Sequence, residues 1–235
     1  MLVALGHFGS RATAQAAIAA GLVHANGKPV TRASESLARD AVIASEAAHP
    51  YVSRGGLKLA HALDVFKVDP SGLDCLDLGA STGGFTDVLL RAGAAHVTCV
   101  DVGHGQLHEK IAGDPRVTSY ERLNARNLTS THLRAPPQLI VCDLSFVSLA
   151  KVLPVPLSLA APAAMLVALF KPQFEVGPSN VGKGGLVTDD SATQSALQAF
   201  EKFLNATGWT PGTAEPSPVP GGDGNREWLV CARRQ

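Results

Sequence analysis

The sequence predicts an α/β fold built on a mostly parallel sheet with helices on both faces. Three observations predict it. From residue 51 onward, short apolar runs alternate with stretches of helical periodicity. Within that alternation, Asp77-Leu-Gly-Ala-Ser-Thr-Gly-Gly-Phe-Thr86 puts a carboxylate and three glycines into one turn between apolar stretches. Asp101 then closes a second strand-like run, 96–100. Strand, glycine turn and helix let a backbone approach a nucleotide closely, and an acid at the tip of the second strand suits a ribose diol.

Taken in order, Ser10 is an N-cap, 11–20 an alanine-rich helix and Gly21 its C-terminal cap. Residues 22–25 read as a strand, Asn26-Gly27 as a hairpin turn and 41–44 as a further strand. Polar and small residues closed by Pro50 make 46–50 a linker between a small α+β domain, 1–45, and a larger domain, 51–235. In the larger domain Leu59, Leu63 and Phe66 recur at helical spacing. Seven strands are expected, at 73–78, 96–102, 117–121, 138–143, 163–170, 209–215 and 227–232. Helices are expected at 85–92, 106–113, 149–159 and 189–206. Residues 211–224, rich in Pro and Gly, read as a loop or short edge connection.

A chain of 235 residues with 46% hydrophobic content can build one sizeable core and a small second unit. Net charge is zero but unevenly spread. Residues 1–58 hold six Lys or Arg against three Asp or Glu; residues 59–235 hold fourteen against seventeen. A basic head on a mildly acidic body suits a polyanionic partner. Cys75, Cys99, Cys142 and Cys231 each sit in or beside an apolar run, without C-x-x-C spacing or a zinc pattern. They read as reduced core residues, which suits the cytoplasm, and no metal site is expected. No export signal opens the chain. The uncharged run 152–170 contains Pro154, Pro156 and Pro162, so it reads as core rather than as a membrane span.

The glycine turn is not G-x-G-x-x-G, and Gly182-Lys183-Gly184 lacks the hydroxyl of a P-loop. A nicotinamide dinucleotide is therefore disfavoured. A shorter ligand, one adenosine with an amino-acid tail, fits better and describes S-adenosylmethionine. Four charged residues fall where the crevice of such a sheet opens. Asp143 ends one strand, Lys171 follows another, Glu227 opens the last, and Lys58 lies just after Arg54-Gly55-Gly56. Each alone could be a solvated strand terminator; together at one sheet edge they point to a site.

Methyl transfer from a sulfonium is an in-line displacement, in which the protein positions and activates the acceptor. A ribose hydroxyl is weakly acidic, so it needs a base, or a cation that stabilises the developing alkoxide; a lysine can be either. The run Asp143-Leu-Ser-Phe146 lacks the Pro-Pro-aromatic pattern suited to amino-group methylation. Strand alternation turns Cys142 away from Asp143 and into the core, so a nucleophilic-cysteine route to a base carbon is not supported.

Several segments resemble the haemolysin A (TlyA) family of ribosomal RNA 2′-O-methyltransferases. They are Tyr51-Val-Ser-Arg-Gly-Gly-Leu-Lys58-Leu, the turn at 77–86, Phe170-Lys-Pro-Gln-Phe-Glu-Val-Gly177, Gly182-Lys-Gly-Gly-Leu-Val-Thr-Asp189 and Gly224-Asn-Arg-Glu227. The resemblance covers nearly the whole chain. It implies a Rossmann-like, seven-stranded, FtsJ-like methyltransferase sheet using S-adenosylmethionine. It further implies that Lys58, Asp143, Lys171 and Glu227 form a catalytic tetrad with Lys171 as the main acceptor-activating group. Asp143 and Glu227 would hold and tune it, and Lys58 would help place the ribose of a cytidine in ribosomal RNA.

The cofactor would be held by Asp77, Gly79, Ala80, Ser81, Thr82, Gly83, Gly84, Asp101, Asn124 and Asp143. Asn124 stands where an acid often reads the adenine. Residues 1–45 resemble the RNA-binding domain of small-subunit ribosomal protein S-four, which grips phosphates and RNA shape. Arg11, Lys28, Arg32 and Arg54 are the candidate contacts. Relatives usually open with a basic segment ahead of the first helix, whereas Met1-Leu-Val-Ala-Leu5 starts inside it, which implies a shortened start. The expected partner is ribosomal RNA or a ribosomal subunit, not a membrane, and the chain is expected to be a monomer. The family's historical name raises a pore-forming cytolysin as a rival, and the RNA-binding head raises a non-catalytic ribosome assembly factor.

Overall fold

The first helix, α1 (Arg11–Ala19), starts where the sequence allows its free amides to be capped. Ser10 accepts from the Thr13 amide, and Thr13 Oγ1 accepts in return from the Ser10 amide, at 3.2 Å each. Gly21, at φ +72°, ends it by turning the chain back into β1 (Val23–Ala25). Asn26 and Gly27 both take positive φ, the requirement of a two-residue hairpin turn, and lead into β2 (Lys28–Pro29). Asn26 also ties in β3 (Ile43–Ser45), because its Oδ1 accepts from the Val42 amide at 2.8 Å. The third strand thus begins two residues later than 41–44. The three strands run antiparallel in the order β2-β1-β3, and α1 packs on them through Ala14, Ala17 and Ile18 against Val23 and Val30.

The computed structural model describes residues 1–38, 40–45 and 49–235. The chain divides into two compact units, Met1–Arg54 and Gly55–Gln235. Residues 46–48 of the expected linker lie outside the described residues.

The second unit opens with α2 (Gly55–Val65), followed by β4 (Asp74–Leu78), α3 (Gly84–Arg91), β5 (His96–Val100), α4 (Glu109–Ala112) and β6 (Val117–Tyr120). Then come β7 (Leu139–Cys142), α5 (Leu149–Val152), α6 (Pro154–Ser158), β8 (Met165–Phe170), α7 (Pro172–Glu175) and α8 (Asp190–Ala206). The chain finishes with β9 (Trp209–Pro211), β10 (Glu215–Pro216) and β11 (Trp228–Arg234). The sheet runs β10-β11-β8-β7-β4-β5-β6, with β9 also on β11. The β6-β5-β4-β7-β8 pairings are parallel, and β11 is antiparallel to β8. Central strands buried on both faces read as continuous apolar runs, as Leu139–Cys142 and Met165–Phe170 do.

Three expected elements are altered. The strand expected at 209–215 is two short pieces on the same edge, because the chain leaves β11 between Gly212, whose amide still donates to the Cys231 carbonyl, and Glu215. The sheet therefore holds eight strands where seven were counted. The helix expected at 149–159 is two short helices meeting at Leu153, since Pro154 and Pro156 have no N–H to bond back to the preceding turn. The helix expected from 106 starts only at Glu109; residues 102–108 form a loop held by side-chain carboxylates.

Cys75, Cys99 and Cys142 are buried and Cys231 is half-buried, all as free thiols. Burial pushes the Cys75 thiol up to about 12 and the Cys231 thiol up to about 11. Cys142 lies in the core with its thiol also raised by burial, as strand alternation predicts.

Candidate active site

Parallel strands end together, so the residues that follow β4, β5, β7 and β8 emerge at one edge of the sheet: Gly79, Asp101, Asp143 and Lys171. The last strand reaches the same edge from the other direction. Trp228, its first residue, pairs with Phe170, so Glu227 comes to lie beside Lys171 across the antiparallel register. Lys58 sits in the first turns of α2 and is 8% exposed.

These side chains form two ion pairs. Lys58 Nζ pairs with Glu227 Oε2 in a buried contact, and Lys171 Nζ lies 2.6 Å from Asp143 Oδ1. The second is an ion pair by distance, with angles outside hydrogen-bonding geometry. Lys171 Nζ also donates to Ser145 Oγ at 2.9 Å. Burial pushes the Glu227 carboxyl above its usual range. The ammonium groups of Lys58 and Lys171 pull it back down, and the Asp143 carboxylate pushes it up. Four residues spread over 169 positions of sequence therefore share one electrostatic neighbourhood.

Beside this cluster is a cavity of about 510 Å³. Gly79, Ser81, Asp101, Asn124 and Asp143 line it, and Asp143 thus faces both the cavity and Lys171. Gly79 lies at φ +80°, and a Cβ there would fall 2.4 Å from the Asp143 carbonyl oxygen, so only glycine lets the two strand-end loops meet. Asp101 is held from both sides: Oδ2 accepts from the Ser81 amide at 2.8 Å and Oδ1 from the Gly103 amide at 2.7 Å. Asn124 lines the wall with its Oδ1 already accepting from Arg126.

The remaining turn residues shape the site without lining the cavity. Asp77 is fully buried; Thr86 Oγ1 donates to its Oδ2 at 2.6 Å, and among the described residues Oδ1 has no hydrogen-bond partner. Burial is the main cause that pushes the Asp77 carboxyl up to about 7. Ala80 and Thr82 continue the turn. Gly83, at φ +88°, sits against Leu107 and Ile111 and is the N-cap of α3, which Gly84 opens. In the first unit, Arg11, Lys28, Arg32 and Arg54 are all exposed.

Two contributors escaped the sequence reading. Ser145 is a second partner for Lys171 alongside Asp143. Phe146 is 91% exposed at φ +65°, its ring 5.3 Å from that of Phe174. An aromatic held open in a left-handed conformation is costly, and such strain concentrates at functional sites. The signal was available in the run Asp143-Leu-Ser-Phe146: an aromatic three residues after a strand-end acid, where no periodicity asks for one.

Among the described residues no group of three or more His, Cys, Asp or Glu is arranged to hold a metal ion. Among them too, no helix is long and apolar enough to cross a membrane.

Residues 51–234 match the FtsJ-like methyltransferase family. Over 238 aligned residues the chain is 45% identical to the 16S/23S rRNA (cytidine-2′-O)-methyltransferase TlyA of Mycobacterium tuberculosis, covering 100% of this chain and 88% of that protein. It is 38% identical to Hemolysin A of Brachyspira hyodysenteriae, with 96% and 94% covered. The solved structure of a protein described as a hemolysin from Streptococcus thermophilus superposes with a TM-score of 0.81 at 36% identity, over 100% of this chain and 86% of that one.

Proposed function

The chain belongs to the FtsJ-like methyltransferase family, and from that premise we propose that it transfers a methyl group from S-adenosylmethionine to the 2′-hydroxyl of a cytidine ribose in ribosomal RNA. The observation that carries the reading is the position of Asp143, which lines the cavity and is ion-paired with Lys171 at its rim.

The residues present suit the cofactor. Gly79 leaves bare backbone at the cavity wall, where any Cβ would collide with the Asp143 carbonyl. Asp101 offers the ribose diol a carboxylate already oriented by two amides. Asn124 and the loop at 102–106 border the space for the adenine. Asp77, fully buried beneath the turn, accepts from the Thr86 hydroxyl and so braces the turn that borders the cavity. When bound there, S-adenosylmethionine supplies an electrophilic methyl group on a sulfonium.

The chain's own residues then act on the acceptor. The Lys171 ammonium points hydrogen-bond donors at the attacking oxygen and stabilises the negative charge that grows on it. The proton that the hydroxyl gives up would pass to the Asp143 carboxylate, because the Lys171 ammonium beside it already carries its full set of protons. Ser145 fixes the Lys171 head group from another side. Phe146 presents an open ring on which the target base can stack, an interaction worth about 1–3 kcal/mol. The exposed Arg11, Lys28, Arg32 and Arg54 would hold phosphates rather than read bases.

The test is transfer of labelled methyl to ribosomal RNA from a strain lacking the modification, followed by mapping of the modified sugar. Product at a cytidine 2′-oxygen is expected; product on a base would overturn the reading. The hemolysin names of two relatives motivate the rival reading of a membrane-active protein. Leakage from liposomes by the pure chain without cofactor would favour it. An assembly factor that only binds ribosomes would show no heat of binding for S-adenosylmethionine in calorimetry.

A further inference from the structure

Glu227 and Lys171 each sit beside a loop that the chemistry above does not use, and one buried side chain joins both loops. Asn225, 2% exposed, is two residues before Glu227. Its Oδ1 accepts from the Val187 amide at 2.9 Å, and its Nδ2 donates to the Gly185 carbonyl at 2.9 Å. It thus grips the glycine loop at 182–187 as a neighbouring strand would, although no strand is there. The same Nδ2 donates to Asp223 Oδ2 at 2.9 Å, and the Asn225 amide donates to Asp223 Oδ1 at 3.1 Å. Asp223 Oδ2 also accepts from Gln173 Nε2 at 2.9 Å, and Gln173 is two residues beyond Lys171.

The turn that carries Asn225 is equally constrained. Gly221 donates its amide to the Asn225 carbonyl at 2.9 Å. A Cβ on Gly221 would lie 2.7 Å from Asp223 Oδ1 and 2.8 Å from Glu227 Oε1. One network therefore runs from the segment after Lys171, through Asp223 and Asn225, to Glu227 and to the loop at 182–187. Gly184 and Gly185, at φ +77° and +82°, give that loop little stiffness of its own.

We propose that Asn225 is a positioning residue for methyl transfer: it locks the loop at 182–187 to the turn that delivers Glu227, so that Glu227 stays registered on Lys58 and Lys171. This rests on the functional reading above. Asn225 touches no reacting atom and lies outside the cavity lined by Gly79 and Asp101. Its removal should therefore spare cofactor binding and cost turnover.

The experiment compares the wild-type full chain with Asn225→Ala and Asp223→Asn. Lys183 is exposed inside the clamped loop, so trypsin reads the release of the clamp directly. In Asn225→Ala, cleavage after Lys183 should accelerate at least about 10-fold, because all three side-chain bonds are lost. Turnover on ribosomal RNA should fall by about 10- to 100-fold, the scale of a misplaced reacting group. The dissociation constant for S-adenosylmethionine, by calorimetry, should stay within about twofold, since the cofactor cavity is untouched. Asp223→Asn, which keeps the shape and removes the charge, should move cleavage and turnover in the same directions by less.

Wild-type cleavage in Asn225→Ala would overturn the proposal. So would accelerated cleavage with wild-type turnover, or a fall in cofactor affinity as large as the fall in turnover. If Asn225→Ala does not fold, Asp223→Asn decides, and wild-type values in it count against the clamp. A wild-type chain that methylates no RNA would sink the functional reading instead, and trypsin would still show whether Asn225 holds the loop.

Discussion

Lys171 Nζ lies 2.6 Å from Asp143 Oδ1, and Asp143 in turn lines the cavity beside Gly79 and Asp101. One carboxylate thus connects the space for a nucleotide to the group that would activate an acceptor. Lys171→Ala should lower methyl transfer by at least about 10²–10⁴-fold, the usual worth of acid–base assistance. Cofactor binding should change little, since Lys171 does not line the cavity. Single-turnover transfer measured beside calorimetry separates the two, and transfer at the wild-type rate would refute the role.

Asp77 gives a pH dependence whose sign is fixed by its environment. Its carboxyl is raised from 3.8 to about 7, mainly by burial. The protonated form is therefore the one favoured by folding. The associated stability is fully present below the unfolded value and is lost as pH rises through about 7. The whole effect is roughly 4 kcal/mol. Asp77→Asn removes this titration, so the melting temperature of the variant relative to wild type should rise between pH 5 and pH 8. A difference that stays flat across that range would show that Asp77 is ionised throughout.

Gly79→Ala should damage the site without any change of charge. The new Cβ would meet a backbone oxygen at 2.4 Å, and φ +80° strains any other residue. Backbone strain of this kind costs on the order of 1–3 kcal/mol. S-adenosylmethionine affinity should drop, because either the turn or the loop at Asp143 must withdraw. Calorimetry on the folded variant checks this, and unchanged affinity would mean that the cavity does not need the close approach.

Phe146→Ala should weaken RNA binding more than cofactor binding, since the ring borders the cavity but stands open to solvent. Loss of one stacked base corresponds to a rise of about 10- to 100-fold in the Michaelis constant for RNA. The ring is 91% exposed and packs only its edge of the loop near Phe174, so thermal stability should hold or improve. Steady-state kinetics with RNA as the varied substrate gives the answer.

The sequence made the charged edge of the sheet legible because strand ends are punctuated. Apolar runs stop at Asp101, Asp143 and Lys171, and the topology of a parallel sheet then gathers those stops. It also placed Cys142 in the core through simple alternation. Side-chain bonds inside loops were not legible. Glu121 accepts from the Gly105 amide and pairs with His104, and with Asp101 it holds open a loop that has helical composition. Pro154 and Pro156 divided a helix whose apolar pattern was otherwise continuous. The Gly224-Asn-Arg-Glu227 segment announced itself as a motif, but the reach of Asn225 to Gly185 spans 40 residues and depends wholly on the fold. Phe146 sits in an irregular segment where neither period applies.

The four thiols held far above neutral pH have a practical consequence for studying this molecule. Alkylating probes react with thiolates, and at neutral pH a group titrating near 11 or 12 exposes fewer than about one molecule in a thousand in that form. A single cysteine engineered onto the surface would therefore be tagged against a silent background, with no need to strip the native ones out of the sheet. Fluorophores or spin labels placed on the two units could then report distances between them as RNA is added.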